Sequence, residues 1–103
     1  MRVDIHTHVV PPRWDDWAAK YGGGKWPRLV LHDACRATIM MGDQFFRDVD
    51  DRSWSPSRRI EDMDRLGVDR QVLSPPPVMF CYWAEPKACQ AFCRVQNENV
   101  ASI

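Results

Sequence analysis

Apolar and polar residues alternate at the start of the chain, where residues 2–6 read RVDIH. Alternation combined with β-branched side chains is typical of a half-buried strand, so this pattern predicts a first strand. The prolines at positions 11 and 12 end it, because proline cannot donate to a strand ladder. Residues 13–24 follow and predict a short helix or turn, which consecutive glycines end.

Two further apolar runs, residues 28–32 and 37–49, predict short strands in the next part of the chain. Gly42 and Asp43 interrupt the second run, and this pair favours a tight turn between antiparallel strands. We therefore expect a small β insertion, at about residues 25–50, between the first strand and the next helix.

The helix predicted over residues 54–67 has recognisable signals at both ends. Ser55 is a suitable N-cap and Pro56 suits the first helical position. Gly67 suits the position that follows the last turn. The apolar residues at helical spacing are Ile60, Met63 and Leu66. They predict an amphipathic helix with one apolar face.

A second strand is predicted over residues 68–74, and the three prolines at 75–77 predict an extended loop after it. A last helix is predicted from about residue 85 toward residue 101. Its apolar stripe consists of Ala88, Ala91, Phe92 and Val95. Strand, helix, strand and helix follow one another around an insertion, which indicates an α/β fold with a parallel sheet and crossover helices.

The composition is that of an ordinary globular chain, with 45% apolar and 27% charged residues among 103. Basic and acidic residues balance at 14 each, so charge gives no argument for nucleic acid or membrane as a partner. The longest apolar run, residues 78–84, is too short to span a bilayer, and no signal-peptide pattern is visible. We therefore expect a cytoplasmic protein with free thiols. Cys89 and Cys93 share a helical face and are expected to be packed thiols. A metal site formed by the two cysteines is the less favoured alternative.

Two histidines lie one residue apart near the end of the first predicted strand, in the segment VDIHTH. Because strand side chains alternate, His6 and His8 point the same way, with Thr7 opposite and Asp4 expected on the histidine face. Two neutral imidazoles on one face suit a single zinc, iron, copper or nickel ion. The alternative is an exposed strand face without a metal, and an isolated HxH motif does not decide between the two.

The motif DxHxH at this position resembles the amidohydrolase superfamily, whose fold is a metal-bearing (β/α)8 barrel. Three longer segments resemble, within it, the aminocarboxymuconate semialdehyde decarboxylase family of tryptophan catabolism. These segments are VDIHTHVVPPRW, FFRDVDDRSWSPSRRIEDMDRLGVDRQVLS and PPVMFCYWAEP. The resemblance covers essentially the whole chain. It implies that residues 1–103 are the N-terminal part of one (β/α)8 TIM barrel domain, with the β insertion after the first strand.

The resemblance also implies roles for particular residues. His6 and His8 would be two ligands of a zinc ion or another divalent metal, and a third histidine and an aspartate from later strands would complete the site. Arg47 would bind a substrate carboxylate, which a guanidinium fork suits, although its chemistry alone favours an ordinary surface residue. Phe80 is the first candidate for the pocket wall, but such aromatic residues equally form cores. Gln44 stands where some family members carry a lysine, so the presence of a second cationic residue at the substrate is an open question.

The implied activity is zinc-dependent, non-oxidative decarboxylation of 2-amino-3-carboxymuconate 6-semialdehyde or a related carboxylated substrate, by a homodimeric parent enzyme. A (β/α)8 barrel requires about 250 residues, so we expect an N-terminal fragment that is inactive alone and has no catalytic residue assigned with confidence. Two alternatives stay open. One is a metal-dependent hydrolase of the amidohydrolase type, and the other is a small non-enzymatic binding module with an incidental HxH.

Overall fold

Strands β1 (Val3–His8) and β5 (Arg70–Ser74) pair in parallel and form one of two sheets in the computed structural model, which describes residues 1–103. The parallel pairing confirms the topology predicted from the order of elements. The first strand continues two residues past its predicted end and includes both neighbouring histidines. The structure is thus a mixed α/β arrangement, and its two parallel strands do not by themselves form a barrel.

The second sheet is an antiparallel meander of β2 (Pro27–Leu31), β3 (Arg36–Met41) and β4 (Gln44–Asp50). Its strands lie where the apolar runs predict them. Gly42 forms the turn between β3 and β4 with φ of 59°, and a Cβ atom at this position would overlap the carbonyl oxygen of Gly24. Glycine is therefore required here by both backbone conformation and space.

Side chains cap all three α-helices, which are α1 (Trp17–Tyr21), α2 (Pro56–Leu66) and α3 (Pro86–Ser102). The predicted N-cap of α2 is confirmed, because the Ser55 hydroxyl accepts a hydrogen bond from the backbone N–H of Arg58 at 3.3 Å. Gly67 ends α2 in the left-handed conformation, as its position predicts. The proline loop differs from the prediction, because Pro77–Met79 form a 3-10 turn after an extended start.

The core is aromatic and lies between α1, α3 and the antiparallel sheet. Phe92 on α3 is fully buried, and its ring centroid lies 5.3 Å from that of Trp17 and 5.7 Å from that of Trp26. Met79 from the 3-10 turn is also fully buried in this cluster. Three of the five tryptophans surround Phe92, since Trp14 lies 6.0 Å away as well. The core thus joins three separate segments of the chain.

Apolar side chains on α2 and on the parallel sheet are uncovered. Ile60 and Leu66, from the predicted apolar face of α2, are 57% and 58% exposed, and Ile5 and Val72 on the strands are 78% and 53% exposed. Parallel sheets normally have cover on both faces, and two strands offer a helix little surface to cover. The chain is accordingly extended, with dimensions of 44 × 28 × 19 Å. No helix has both the length and the apolar character needed to cross a membrane.

Candidate functional site

Two imidazole rings lie at the carboxyl end of β1. The ring centroids of His6 and His8 are 5.1 Å apart, and the ring planes are nearly perpendicular at 89°. His6 is exposed and His8 is partly buried. One nitrogen of each ring can approach a common ion at this separation, so the structure brings together the two residues that the HxH pattern singles out.

The strict alternation expected along β1 does not hold below the histidines. Asp4 pairs with Gln71 and Thr7 pairs with Leu73, so the register shifts by one residue between them. The Asp4 carboxylate accepts a hydrogen bond from the backbone N–H of His6 at 3.1 Å. A strand irregularity thus lies between Asp4 and His8, and the placement of Asp4 on the histidine face stays a prediction.

His8 has protein partners at both its ring and its backbone. The Ser74 hydroxyl lies 3.3 Å from His8 Nδ1 and donates to the carbonyl oxygen of Thr7 at 3.1 Å. The Arg59 guanidinium donates to the carbonyl oxygen of His8 at 3.2 Å. Sequence reasoning missed both Ser74 and Arg59. The available signal for Ser74 was its place at the carboxyl end of the second parallel strand, beside the end of the first.

Arg59 connects α2 to the parallel sheet through several hydrogen bonds. It donates to the side-chain oxygen of Gln71 at 3.0 Å and 3.2 Å, and to the carbonyl oxygen of Arg52. Burial lowers the pKa of the Arg59 guanidinium, an effect that the charges of Asp4 and Asp62 oppose. Arginine stays charged under such conditions, so Arg59 places a fixed cation beside the end of β1.

The donor chemistry of the histidine pair fits part of a metal centre. Neutral imidazole suits zinc, and a catalytic zinc site uses three protein ligands with one open position. No group of three or more histidine, cysteine, aspartate or glutamate side chains in the chain is arranged to hold a metal ion. His6 and His8 therefore fit two positions of such a centre and need further ligands from elsewhere.

Arg47 and Phe80 lie on other elements and form no hydrogen bond or ring contact with either histidine. Arg47 is exposed on β4, and its guanidinium lies 5.4 Å from the ring centroid of Phe46. It has no carboxylate partner among the ion pairs. Phe80 follows the 3-10 turn, and its ring lies 5.6 Å from that of Tyr82. Arg47 is thus available to a ligand, whereas its role and that of Phe80 stay predictions.

The third histidine and the cysteines belong to other parts of the fold. His32 Nε2 lies 2.6 Å from the hydroxyl of Thr38, which donates to Asp48 across the antiparallel sheet. All four cysteines are free. Burial raises the pKa of the Cys81 thiol to about 12, and the Cys89 thiol donates to the carbonyl oxygen of Phe80 at 3.3 Å. Cys81 and Cys89 are therefore packed around the start of α3.

Comparison with known proteins connects this geometry to a family. No protein-family model matches the chain. The chain is 40% identical over all 103 residues to the 2-amino-3-carboxymuconate-6-semialdehyde decarboxylase of Dictyostelium discoideum. It is 36% identical over 99 residues to the Caenorhabditis elegans protein of the same name. The chain corresponds to the N-terminal segment of the 2-amino-3-carboxymuconate-6-semialdehyde decarboxylases.

A third relative, the 2-amino-3-carboxymuconate-6-semialdehyde decarboxylase of Sus scrofa, is 33% identical over 52 residues, which are half of this chain. The family resemblance seen in the sequence segments is thereby confirmed. The chain spans 29% of the length of the Dictyostelium discoideum decarboxylase and 25% of the Caenorhabditis elegans one. Most of each of these decarboxylases therefore has no counterpart in the 103 residues described here.

Proposed function

We propose that the chain forms the N-terminal part of a zinc-dependent, non-oxidative decarboxylase that acts on 2-amino-3-carboxymuconate 6-semialdehyde or a related carboxylated substrate. The observation that carries this proposal is the imidazole pair at the carboxyl end of a parallel strand. The proposal is also supported by the sequence of this chain, which is 40% identical over its full length to a decarboxylase of that name.

The proposed fold of the whole protein is a (β/α)8 barrel, in which β1, α2 and β5 form the first strands and a crossover helix. Active sites of such barrels lie at the carboxyl ends of the strands, which is where the two histidines lie on β1. The antiparallel meander would then be a small insertion after the first strand. Further strands would cover the exposed apolar residues Ile5 and Val72.

In the proposed centre, His6 and His8 each provide one ring nitrogen to a divalent metal. When bound, the metal supplies Lewis-acid chemistry. The chain offers two imidazoles and no third ligand arranged with them, so we propose that the other ligands lie outside these 103 residues. We accordingly expect the purified chain alone to show no decarboxylase activity.

Arg47 provides the proposed contact to a substrate carboxylate. Its planar guanidinium can form two parallel hydrogen bonds with a carboxylate, which fixes the orientation of the substrate as well as binding it. Phe80 would form part of the apolar wall against which the substrate packs. In decarboxylation the carbon–carbon bond to CO2 breaks, and the substrate carbon keeps the electron pair and takes up a proton. Binding and orienting the substrate through one of its carboxylates is the contribution that Arg47 would make.

A chimera tests the proposed function directly. Residues 1–103 of this chain would replace the matching N-terminal segment of the Dictyostelium discoideum relative, with which they align over their whole length. We expect the purified chimera to contain zinc and to release CO2 from 2-amino-3-carboxymuconate 6-semialdehyde. A folded, zinc-containing chimera that releases no CO2 contradicts the proposal, and a hydrolytic product instead of CO2 supports the hydrolase alternative.

Arg47→Lys in this chimera is expected to raise KM for the substrate by about 10- to 100-fold, because lysine keeps the charge but loses the second hydrogen bond. Steady-state kinetics measure this change. Arg36→Lys is the matched control, since Arg36 is an exposed arginine on the neighbouring strand that pairs with Asp33 at 3.0 Å. Equal KM values for Arg47→Lys and the unmodified chimera would remove Arg47 from the substrate site.

The whole enzyme is further proposed to be a cytoplasmic homodimer. Tyr82 and Trp83 are exposed aromatic residues that follow each other after the 3-10 turn, and aromatic residues are enriched at subunit interfaces. Light scattering on the chimera measures its mass, and a monomer at working concentration contradicts this part of the proposal.

A further inference from the structure

The ring of His8 contacts the hydroxyl of Ser74, which also donates to a backbone carbonyl oxygen. Ser74 Oγ donates to the carbonyl oxygen of Thr7 at 3.1 Å and lies 3.3 Å from His8 Nδ1. A serine hydroxyl has one proton to donate and two lone pairs that accept. The carbonyl of Thr7 has no proton to give, so a hydrogen bond between these two groups requires the Ser74 proton.

Because the Ser74 proton is committed to Thr7, Ser74 Oγ can only accept from the ring of His8. Nδ1 of His8 must then carry the ring proton, which leaves Nε2 with a free lone pair. The atom that hydrogen-bonds one ring nitrogen of a histidine determines the tautomer, and hence which nitrogen is free to bind a metal. While Ser74 donates to Thr7, its contact with His8 is therefore compatible with only one of the two tautomers of the ring.

We propose that Ser74 is a positioning residue that fixes His8 as the Nδ1–H tautomer and presents Nε2 to the metal. Arg59 supports this arrangement from the other side, because it donates to the carbonyl oxygen of His8 at 3.2 Å and so fixes the backbone of the strand end. The part of this proposal that concerns the metal rests on the proposed function. The tautomer itself is a property of the metal-free chain.

His6 provides an internal reference, because its ring contacts His8 edge-on and has no hydrogen-bond partner. The first measurement is long-range ¹H–¹⁵N NMR on the metal-free chain at about pH 8, where an ordinary imidazole is neutral. We expect the shifts of His8 to show a protonated Nδ1 and an unprotonated Nε2, and those of His6 to show a mixture of both tautomers. A protonated Nε2 on His8 overturns the proposal without the need for any variant.

Ser74→Ala in the chimera tests the effect on metal binding, because the chain alone offers only two ligands. We expect it to weaken binding of Co²⁺ or Zn²⁺ alone by about 10- to 100-fold, as loss of a ligand's hydrogen-bond partner does, and to return the His8 shifts toward those of His6. Ser74→Thr retains the hydroxyl and is expected to restore both readouts.

Thr7→Val is the matched control, because Thr7 also bridges the two strands through its hydroxyl, which donates to the carbonyl oxygen of Val72 at 2.9 Å. It should leave metal affinity and the His8 tautomer unchanged. Equal losses of affinity in Thr7→Val and Ser74→Ala would show that Ser74 only stabilises strand pairing, which overturns the proposal. If the chimera binds no metal while His8 is the Nδ1–H tautomer, the positioning by Ser74 stands and the proposed metal site fails.

Discussion

Replacing His8 with alanine in the chimera is expected to lower kcat/KM for decarboxylation by at least about 1,000-fold, since the lost Lewis-acid chemistry amounts to several kcal/mol. The imidazole of His8 is one of only two ligands that this chain offers, and it is the partly buried member of the pair. Zinc content, measured by elemental analysis on the purified variant, should fall together with activity.

The matched control for this experiment is His32→Gln. His32 is the only other histidine, and its ring contacts the hydroxyl of Thr38 on a different sheet. Glutamine retains a hydrogen-bonding group there, so both zinc content and kcat/KM should stay near those of the chimera. An active, zinc-loaded His8→Ala variant would instead show that the two adjacent imidazoles are a surface feature of β1.

Truncation of Phe92 to alanine is expected to destabilise the chain by about 3–5 kcal/mol, which is the usual cost of removing a fully buried aromatic ring. The ring of Phe92 lies among three indole rings, at centroid distances of 5.3 to 6.0 Å, so little can move in to fill its place. Small domains have only about 5–15 kcal/mol of stability in total, so the variant should lose a large share of its free energy of unfolding. Urea unfolding followed by tryptophan fluorescence measures the loss.

Tyr82→Ala is the control for the Phe92 variant, because it also removes a large aromatic ring but from a side chain that is 84% exposed. Its effect should lie within about 0.5 kcal/mol. If Phe92→Ala cost no more than Tyr82→Ala, the aromatic core would not be packed in solution as it is in this structure.

The ends of α2 could be predicted because a cap depends on the residue at the cap itself. Ser55 accepts the N–H of Arg58, and Gly67 takes φ of 70°, which its lack of a Cβ atom permits. The parallel pairing of β1 with β5 followed in the same way from the order of elements and the helix between them. The pairing of His6 with His8 followed from the two-residue period of a strand.

Features that depend on a distant partner could not be predicted. The spacing of Ile60 and Leu66 gives the direction of an apolar face but not what covers it, and here nothing in the chain does. The register shift between Asp4 and Thr7 arises only where β1 meets β5. The contact between Ser74 and His8 depends on this same register, because the two residues are 66 positions apart in the sequence.

That separation of Ser74 from His8 also has a consequence for the order in which the structure forms. The turns of the meander join strands that are near neighbours in sequence, whereas pairing Val3 with Arg70 closes a loop through most of the chain. Closing a longer loop costs more chain entropy, and contacts between distant segments form more slowly. The meander should therefore fold early, and the histidine pair should reach its final geometry only when the two ends of this long loop have met.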